Sequence, residues 1–314
     1  MPQIETKNKK GLHLYHDPLS SCAMRVRMVL AEKKLPWQSH VIDLAKMEHA
    51  TPEYQSINPN GLVPTLIHDG RTYIESIDII QYLDELAAAP SLSPVDPKEQ
   101  VDCRSLTASA DGAQVALKTL THEFLFRGSG RYLGEEDQKK FGTAHHNAWL
   151  VEFKRSFAAG DAKWQAKVAE ALAEMNGHFR DLDLRLAANE WLINGDFTLA
   201  DVAWTPQVHR MSLMEWPMTF CPYLSRWYAQ LQKRPSFQKA IVDCEPPGAR
   251  AMFASYVAQR RSECTSVADV LNMWRINLLR TSPCCLMPDA AISVRRDCSW
   301  ALPRARASIA KKTC

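Results

Sequence analysis

No run of apolar residues in this 314-residue chain approaches the ~18 needed to span a membrane as a helix, so no membrane partner is expected. The first ten residues hold Lys7, Lys9 and Lys10 with no apolar stretch behind them, which is not the build of a secretory signal, and a cytoplasmic protein is expected. Paired cysteines at metal-ligand spacing are missing too. The nine cysteines are an odd number, five of them fall after Glu263, and Cys284 directly abuts Cys285, so reduced thiols are expected and a metal site is not. Charge of one sign is not in excess: 38 Lys and Arg face 35 Asp and Glu, so nothing demands a nucleic-acid partner and none is expected. Internal repeats are absent. What remains is an ordinary globular composition, 46% hydrophobic and 23% charged, long enough for two domains and an appendage.

Residues 11–88 read as a small α/β unit of the thioredoxin kind. Residues 12–15 form a short apolar strand, and 21–33 carry Met24, Val26, Met28, Val29 and Leu30 on a helix entered from a Pro-Leu-Ser-Ser turn, with Ser20 or Ser21 as its cap. Strands are expected at 37–41, 63–67 and 72–74, the last two joined by an Asp69-Gly70 hairpin turn. Ser76 is expected to cap the next helix. A Pro- and Ser-rich linker follows at 90–97. Residues 98–243 then read as all-helical, with a glycine-punctuated insertion at about 127–163 and a capping box, Thr198 to Asp201, opening an apolar helix. Periodicity fades after residue 246, so 244–314 is expected to be a poorly ordered basic extension.

Chemistry concentrates at three places. Ser20, Ser21 and Cys22 sit at the mouth of the first helix, where the helix dipole and free N–H groups stabilise a thiolate. A serine there is an ordinary cap or a donor to a bound thiol, and Cys22 is a small buried residue or a nucleophile. No second cysteine completes a CxxC pair, which disfavours dithiol redox chemistry. Val63-Pro64 opens a strand with a proline, compatible with a cis peptide at an exposed edge that leaves Val63 free to pair with an extended peptide. Glu75-Ser76 offers a hydroxyl and a helix terminus to a carboxylate and an acid to an ammonium. Together they suit a ligand with a thiol, a peptide backbone and an amino-acid end, which describes glutathione.

The stretches Ser20-Ser-Cys-Ala-Met-Arg-Val-Arg27, Ile57-Asn-Pro-Asn-Gly-Leu-Val-Pro-Thr-Leu66 and Glu75-Ser-Ile-Asp-Ile-Ile-Gln-Tyr-Leu83 resemble the N-terminal domain of the glutathione transferases. The first is closest to the zeta class, the maleylacetoacetate isomerase-like enzymes, and to the reductive dehalogenases. Trp191-Leu-Ile-Asn-Gly-Asp-Phe-Thr-Leu-Ala-Asp-Val-Ala203 resembles the family's C-terminal folding motif. The resemblance covers about residues 12–243. It implies a thioredoxin-like domain followed by an all-α domain, a homodimer, and glutathione as cosubstrate.

Carried over by position, the resemblance makes Ser21 the thiolate-stabilising hydroxyl with Ser20 and Cys22 beside it. Val63 and Pro64 would hold the cysteinyl backbone, and Glu75 and Ser76 the γ-glutamyl end. One position departs: Leu62 stands where zeta enzymes carry a polar residue. For the acceptor, Phe124, Arg127 and Arg210 are the candidates, with His122, Phe126 and Tyr132 nearby. The long insertion is unlike compact zeta enzymes and similar to the dehalogenases and bacterial β-etherases.

The expected function is therefore a detoxification-type glutathione S-transferase that activates the thiolate for attack on a small electrophile. One alternative is glutathione-dependent isomerisation of a maleylacetoacetate-type diacid or Cys22-dependent reductive dehalogenation. Another, from a different class, is a non-catalytic interaction module of the same fold.

Overall fold

The computed structural model of the protein describes residues 4–87, 89–130 and 134–272. At its N-terminal end a four-stranded mixed sheet runs in the order β2-β1-β3-β4, from β1 (Leu12–His16), β2 (Trp37–Val41), β3 (Thr65–His68) and β4 (Arg71–Tyr73). β1 pairs parallel to β2 and antiparallel to β3, and β3 pairs antiparallel to β4. The parallel pair requires a crossover, supplied by α1 (Ser21–Glu32). The antiparallel pair needs only a tight turn, and Asp69 (φ 47°) and Gly70 (φ 83°) take the left-handed conformations of a two-residue hairpin. A single turn, α2 (Pro52–Gln55), precedes β3, and α3 (Ser76–Leu86) closes the unit.

Three sequence expectations shift here. β3 starts at Thr65 rather than at 63, since Pro64 has no N–H for a ladder, and β3 is an inner strand between β1 and β4, not an edge. Pro64 lies at the strand's end, in a cis peptide with Val63. The cap of α3 is Glu75, not Ser76, which is the first helical residue. Its hydroxyl is drawn inward to accept a hydrogen bond from the buried Arg25 Nη1 at 3.1 Å.

After the linker, the described residues are helical, apart from one isolated bridge between Ile193 and Asp196. Asp96 caps α4 (Pro97–Gly112), which is followed by α5 (Gln114–Thr121) and a π-helical turn at His122–Phe126. The expected insertion folds as a helical pair, α6 (Glu135–Ala144) and α7 (Ala148–Ala159), before the long α8 (Ala162–Leu186). The capping box forms as read: Thr198 and Asp201 open α9 (Leu199–Leu213). Asp201, fully buried, also accepts from Leu192 N at 3.0 Å and from Trp227 Nε1 at 2.8 Å. α10 (Pro222–Leu231) and α11 (Pro235–Phe237) lead to a π-turn at Gln238–Val242.

Two arginines of α1 fasten the sheet unit to the helical one. Arg25 donates to the carbonyls of Ala203 (3.0 Å) and Ala110 (2.9 Å), and Arg27 to that of Ala240 (2.7 Å). Both are buried, so the charges stay inside only because each guanidinium fork meets several acceptors. The insertion adds a third tie. Gln55 Nε2 donates to the Ala144 carbonyl at 2.9 Å, and His145 Nε2 donates to the Gly61 carbonyl at 3.0 Å.

The expectation of a poorly ordered extension from 244 meets a helix, α12 (Ala249–Ser262), which buries Phe253 and Val257. Arg260 on α12 donates to Glu123 at 2.9 Å. The packed body thus runs past residue 243, and the part of that extension from 273 onward lies outside the described residues.

Candidate functional site

Between the sheet unit and the helical unit lies a cavity of about 360 Å³. Ser20, Ser21, Cys22, Val63, Pro64, Glu75, Ser76 and Arg210 all line it, so residues from four separate stretches of sequence converge on one cavity.

At its floor is the start of α1. Ser20 is the cap: its hydroxyl accepts from Ala23 N at 3.2 Å. That leaves Ser21, in the first turn, free of capping duty. Its Oγ accepts instead from Gln114 Nε2 of α5 at 2.7 Å, so the Ser21 proton is available to the cavity. The other amide atom, Gln114 Oε1, is buried with no partner among the described residues. Cys22 is half-buried beside them.

Along one wall, the main-chain N–H and C=O of Val63 have no partner among the described residues, whereas the Leu62 carbonyl accepts from Tyr54 Oη at 2.6 Å and Asn58 Nδ2 at 2.7 Å. The backbone ahead of Pro64 is thus held from behind and open in front. Glu75 adopts φ 65°, a left-handed conformation that costs energy for a residue with a Cβ and persists where surrounding contacts impose it. Asn60 Nδ2 donates to its carboxylate at 3.2 Å. Asp111, paired with Arg25 at 3.3 Å, adds a second acid at this end.

The opposite wall is aromatic and cationic. It comprises Lys118 of α5, His122 and Phe126 of the π-turn, Trp149, Leu150, Lys154 and Phe157 of α7, and Arg210 of α9. Arg210 is fully enclosed. One nitrogen, Nη2, donates to the Leu19 carbonyl, and the other, Nη1, is buried without a partner among the described residues. Burial lowers its pKa to about 10. Burial, reinforced by His145, Lys154 and Lys118, pushes His49 down to about 3, and burial beside Lys154 likewise holds His122 well below the ordinary imidazole value. Both imidazoles are neutral at physiological pH, and the charge on this wall belongs to the lysines and the arginine.

Two candidates fall outside the cavity. Phe124 is buried against α12, under the Arg260 guanidinium at 4.5 Å, and Arg127 is bound to Glu123 at 2.8 Å and the Phe157 carbonyl at 2.9 Å. The π-turn explains the offset: it carries one residue more per turn than an α-helix, bringing His122 and Phe126 to the cavity and turning Phe124 away. Tyr132 lies outside the described residues.

Gln114, Lys118, His49 and Trp149 were not singled out from the sequence. A signal existed for two of them: Gln114, Lys118 and Thr121 form a polar i, i+4, i+7 stripe on a helix whose other residues, Thr119 apart, are apolar. Leu62, the departure from the zeta pattern, also finds its reason. Its side chain packs against Ala50, Phe141 and Leu150, under the insertion.

Residues 19–86 match the model of the glutathione S-transferase N-terminal domain, and residues 143–230 that of the C-terminal domain. A zeta-class glutathione S-transferase of Euphorbia esula is 26% identical over 78% of this chain and 96% of its own length. The tetrachloro-p-hydroquinone reductive dehalogenase of Sphingobium chlorophenolicum is 22% identical over 73% of this chain and 95% of its own. Among solved structures, a β-etherase from Sphingobium superposes with a TM-score of 0.68 at 21% identity, covering 74% of this chain and 99% of that one.

Proposed function

Because the chain belongs to the glutathione S-transferase family, we propose that it presents a glutathione thiolate to a small electrophile from the first turn of α1. The protein is a glutathione-dependent enzyme of the transferase and isomerase group, with glutathione as cosubstrate. When bound, glutathione supplies the sulfur nucleophile. The single observation that carries the role of Ser21 is its hydrogen bond from Gln114. With one lone pair of the hydroxyl engaged, its proton is left to donate into the cavity. The helix terminus behind it adds N–H donors and partial positive charge.

The other contacts fit the rest of the tripeptide. The unpartnered main-chain groups of Val63 suit a cysteinyl backbone, the Ser76 hydroxyl and the N-terminus of α3 suit the γ-glutamyl carboxylate, and Glu75 suits its ammonium. Lowering a thiol from about 9 to between 6 and 7 needs roughly 3 to 4 kcal/mol, within reach of one hydroxyl, backbone donors and a helix dipole together. Arg210 and Phe126 belong to the acceptor's side. The enzyme works in the cytoplasm, in detoxification, as a homodimer; exposed Leu86 on α3 and Val101 on α4 support a paired surface.

A second reading has an observation of its own. Cys22 lines the same cavity and offers a second sulfur nucleophile there, as in reductive dehalogenation. The two readings separate by substitution. Under the hydroxyl reading, Ser21→Ala lowers conjugation of a chloronitrobenzene near neutral pH, with recovery as the pH rises and the thiol ionises unaided, while Cys22→Ala is mild. An active Ser20/Ser21 double alanine variant beside an inert Cys22→Ala would reverse the assignment.

A further inference from the structure

We propose that the acceptor taken by this enzyme is an aromatic anion, an aryl carboxylate or phenolate, whose charge is held by Lys118 and whose ring lies against Trp149. The proposal rests on the glutathione reading above and deepens it.

Three observations carry it. Lys118 lies one turn, ~6 Å of helix, beyond Gln114, the residue that touches Ser21, so its ammonium stands next along the wall from the thiolate position. Among the described residues no carboxylate pairs with that ammonium. Its neighbours are two ring faces, Trp149 at 4.9 Å and Phe153 at 5.8 Å, and the Cys22 thiol. An enclosed ammonium without a counter-ion is costly unless an anion arrives with the ligand. Burial does draw the Lys118 pKa below its ordinary value.

The second observation is the segregation of charge. The acids facing the cavity, Asp17, Glu75 and Asp111, belong to the β1–α1 turn, the residue before α3 and the end of α4, and each is already hydrogen-bonded to protein. Lys118 and Lys154 line the opposite wall, whereas Arg210 reaches from it to the β1–α1 turn, where it meets the Leu19 carbonyl and the field of Asp17 and Glu245. The ammonium of glutathione is served at one end, and the other is left for negative charge.

The third observation is shape. Trp149, exposed by 47%, is stacked on Phe153 with an interplanar angle of 25° and carries the Lys118 ammonium over its ring, while Phe126 and Phe157 add to the apolar slot. A flat ring fills such a slot better than a flexible aliphatic chain.

A matched pair of acceptors tests this: 4-chloro-3-nitrobenzoate and its neutral carboxamide. In both, the glutathione sulfur forms a bond to the ring carbon as chloride leaves with the bonding pair. The enzyme should favour the acid over the amide by about tenfold in kcat/KM beyond the ratio of their uncatalysed rates. Lys118→Met should erase most of that preference, and Lys118→Arg should retain part of it, with melting temperatures confirming that both variants fold.

An acid-to-amide ratio that is the same in wild type and Lys118→Met overturns the proposal. So does a rise in the glutathione KM of Lys118→Met with the ratio unchanged, which would give the ammonium to glutathione's own glycyl carboxylate. If neither acceptor is conjugated, the transferase reading fails separately. Calorimetric binding of 4-nitrobenzoate to the glutathione-loaded protein then decides for the anion site if Lys118→Met abolishes it and against it if binding is absent or unaffected.

Discussion

A serine hydroxyl holds one proton, and its direction is what the cavity floor controls. Gln114 Nε2 engages an Oγ lone pair of Ser21, which, on the proposal that Ser21 serves the thiolate, makes Gln114 a positioning residue. Gln114→Leu should raise the pKa of bound glutathione, read from thiolate absorbance, and cut conjugation at pH 6.5 by about tenfold with recovery in alkali. Gln114→Glu should be worse, since a carboxylate accepts the Ser21 proton and turns it from the cavity. A flat pH profile in either variant would reduce Gln114 to a packing role. Ser76→Ala should weaken glutathione by ~1–2 kcal/mol in a calorimetric titration, the loss of a charge-assisted hydrogen bond. At this scale the sequence was informative where function is local. Ser20 to Cys22, Val63-Pro64 and Glu75-Ser76 are each contiguous, and each reached the cavity. Gln114 and Lys118 depend on which face of α5 meets α1, a tertiary fact, and so does the burial of Arg25 and Arg27 as staples between the units.

Among the elements, those with a cap or a turn of fixed chemistry were legible. The Asp69-Gly70 hairpin and the Thr198–Asp201 box formed where the residues put them, because their geometry is enforced within four residues. Asp201→Ala should cost about 3–5 kcal/mol in a denaturant midpoint, since it strands the buried donors of Leu192, Thr198 and Trp227 together. The insertion was less legible. Its glycines and polar residues suggested an excursion, and α6 and α7 take their stability from outside, with Phe141 and Leu150 packing on Ala50 and Leu62 of the sheet unit. Phe141→Ala should therefore loosen this pair first: limited proteolysis should cut within residues 135–159 while the global unfolding midpoint moves less than for Asp201→Ala. α12 escaped notice because its weak amphipathicity is offset by two well-placed residues, Phe253 and Val257.

For the whole molecule, buried imidazoles set the acid limit. His16 and His49 are each held at about 3 by burial, helped by Arg27 for the first and by His145 for the second. In the unfolded chain both take up a proton below about 6.5, so unfolding binds protons. The stability is fully present above that value and is lost as pH falls toward 3, at about 1.4 kcal/mol per pH unit for each histidine. Urea midpoints taken between about pH 7 and pH 5 should fall, and His49→Asn should flatten the slope; an unchanged slope would count against a neutral His49. The bond between the His145 ring and the Gly61 carbonyl also bears on how this chain can vary. A Cβ at Gly61 would stand 2.4 Å from His145 Nε2, and Gly61 itself sits at φ 57°. Position 61 can gain a side chain only after position 145, eighty-four residues away, has shrunk, and its positive φ and the His49 carbonyl at 3.1 Å strain the exchange even then.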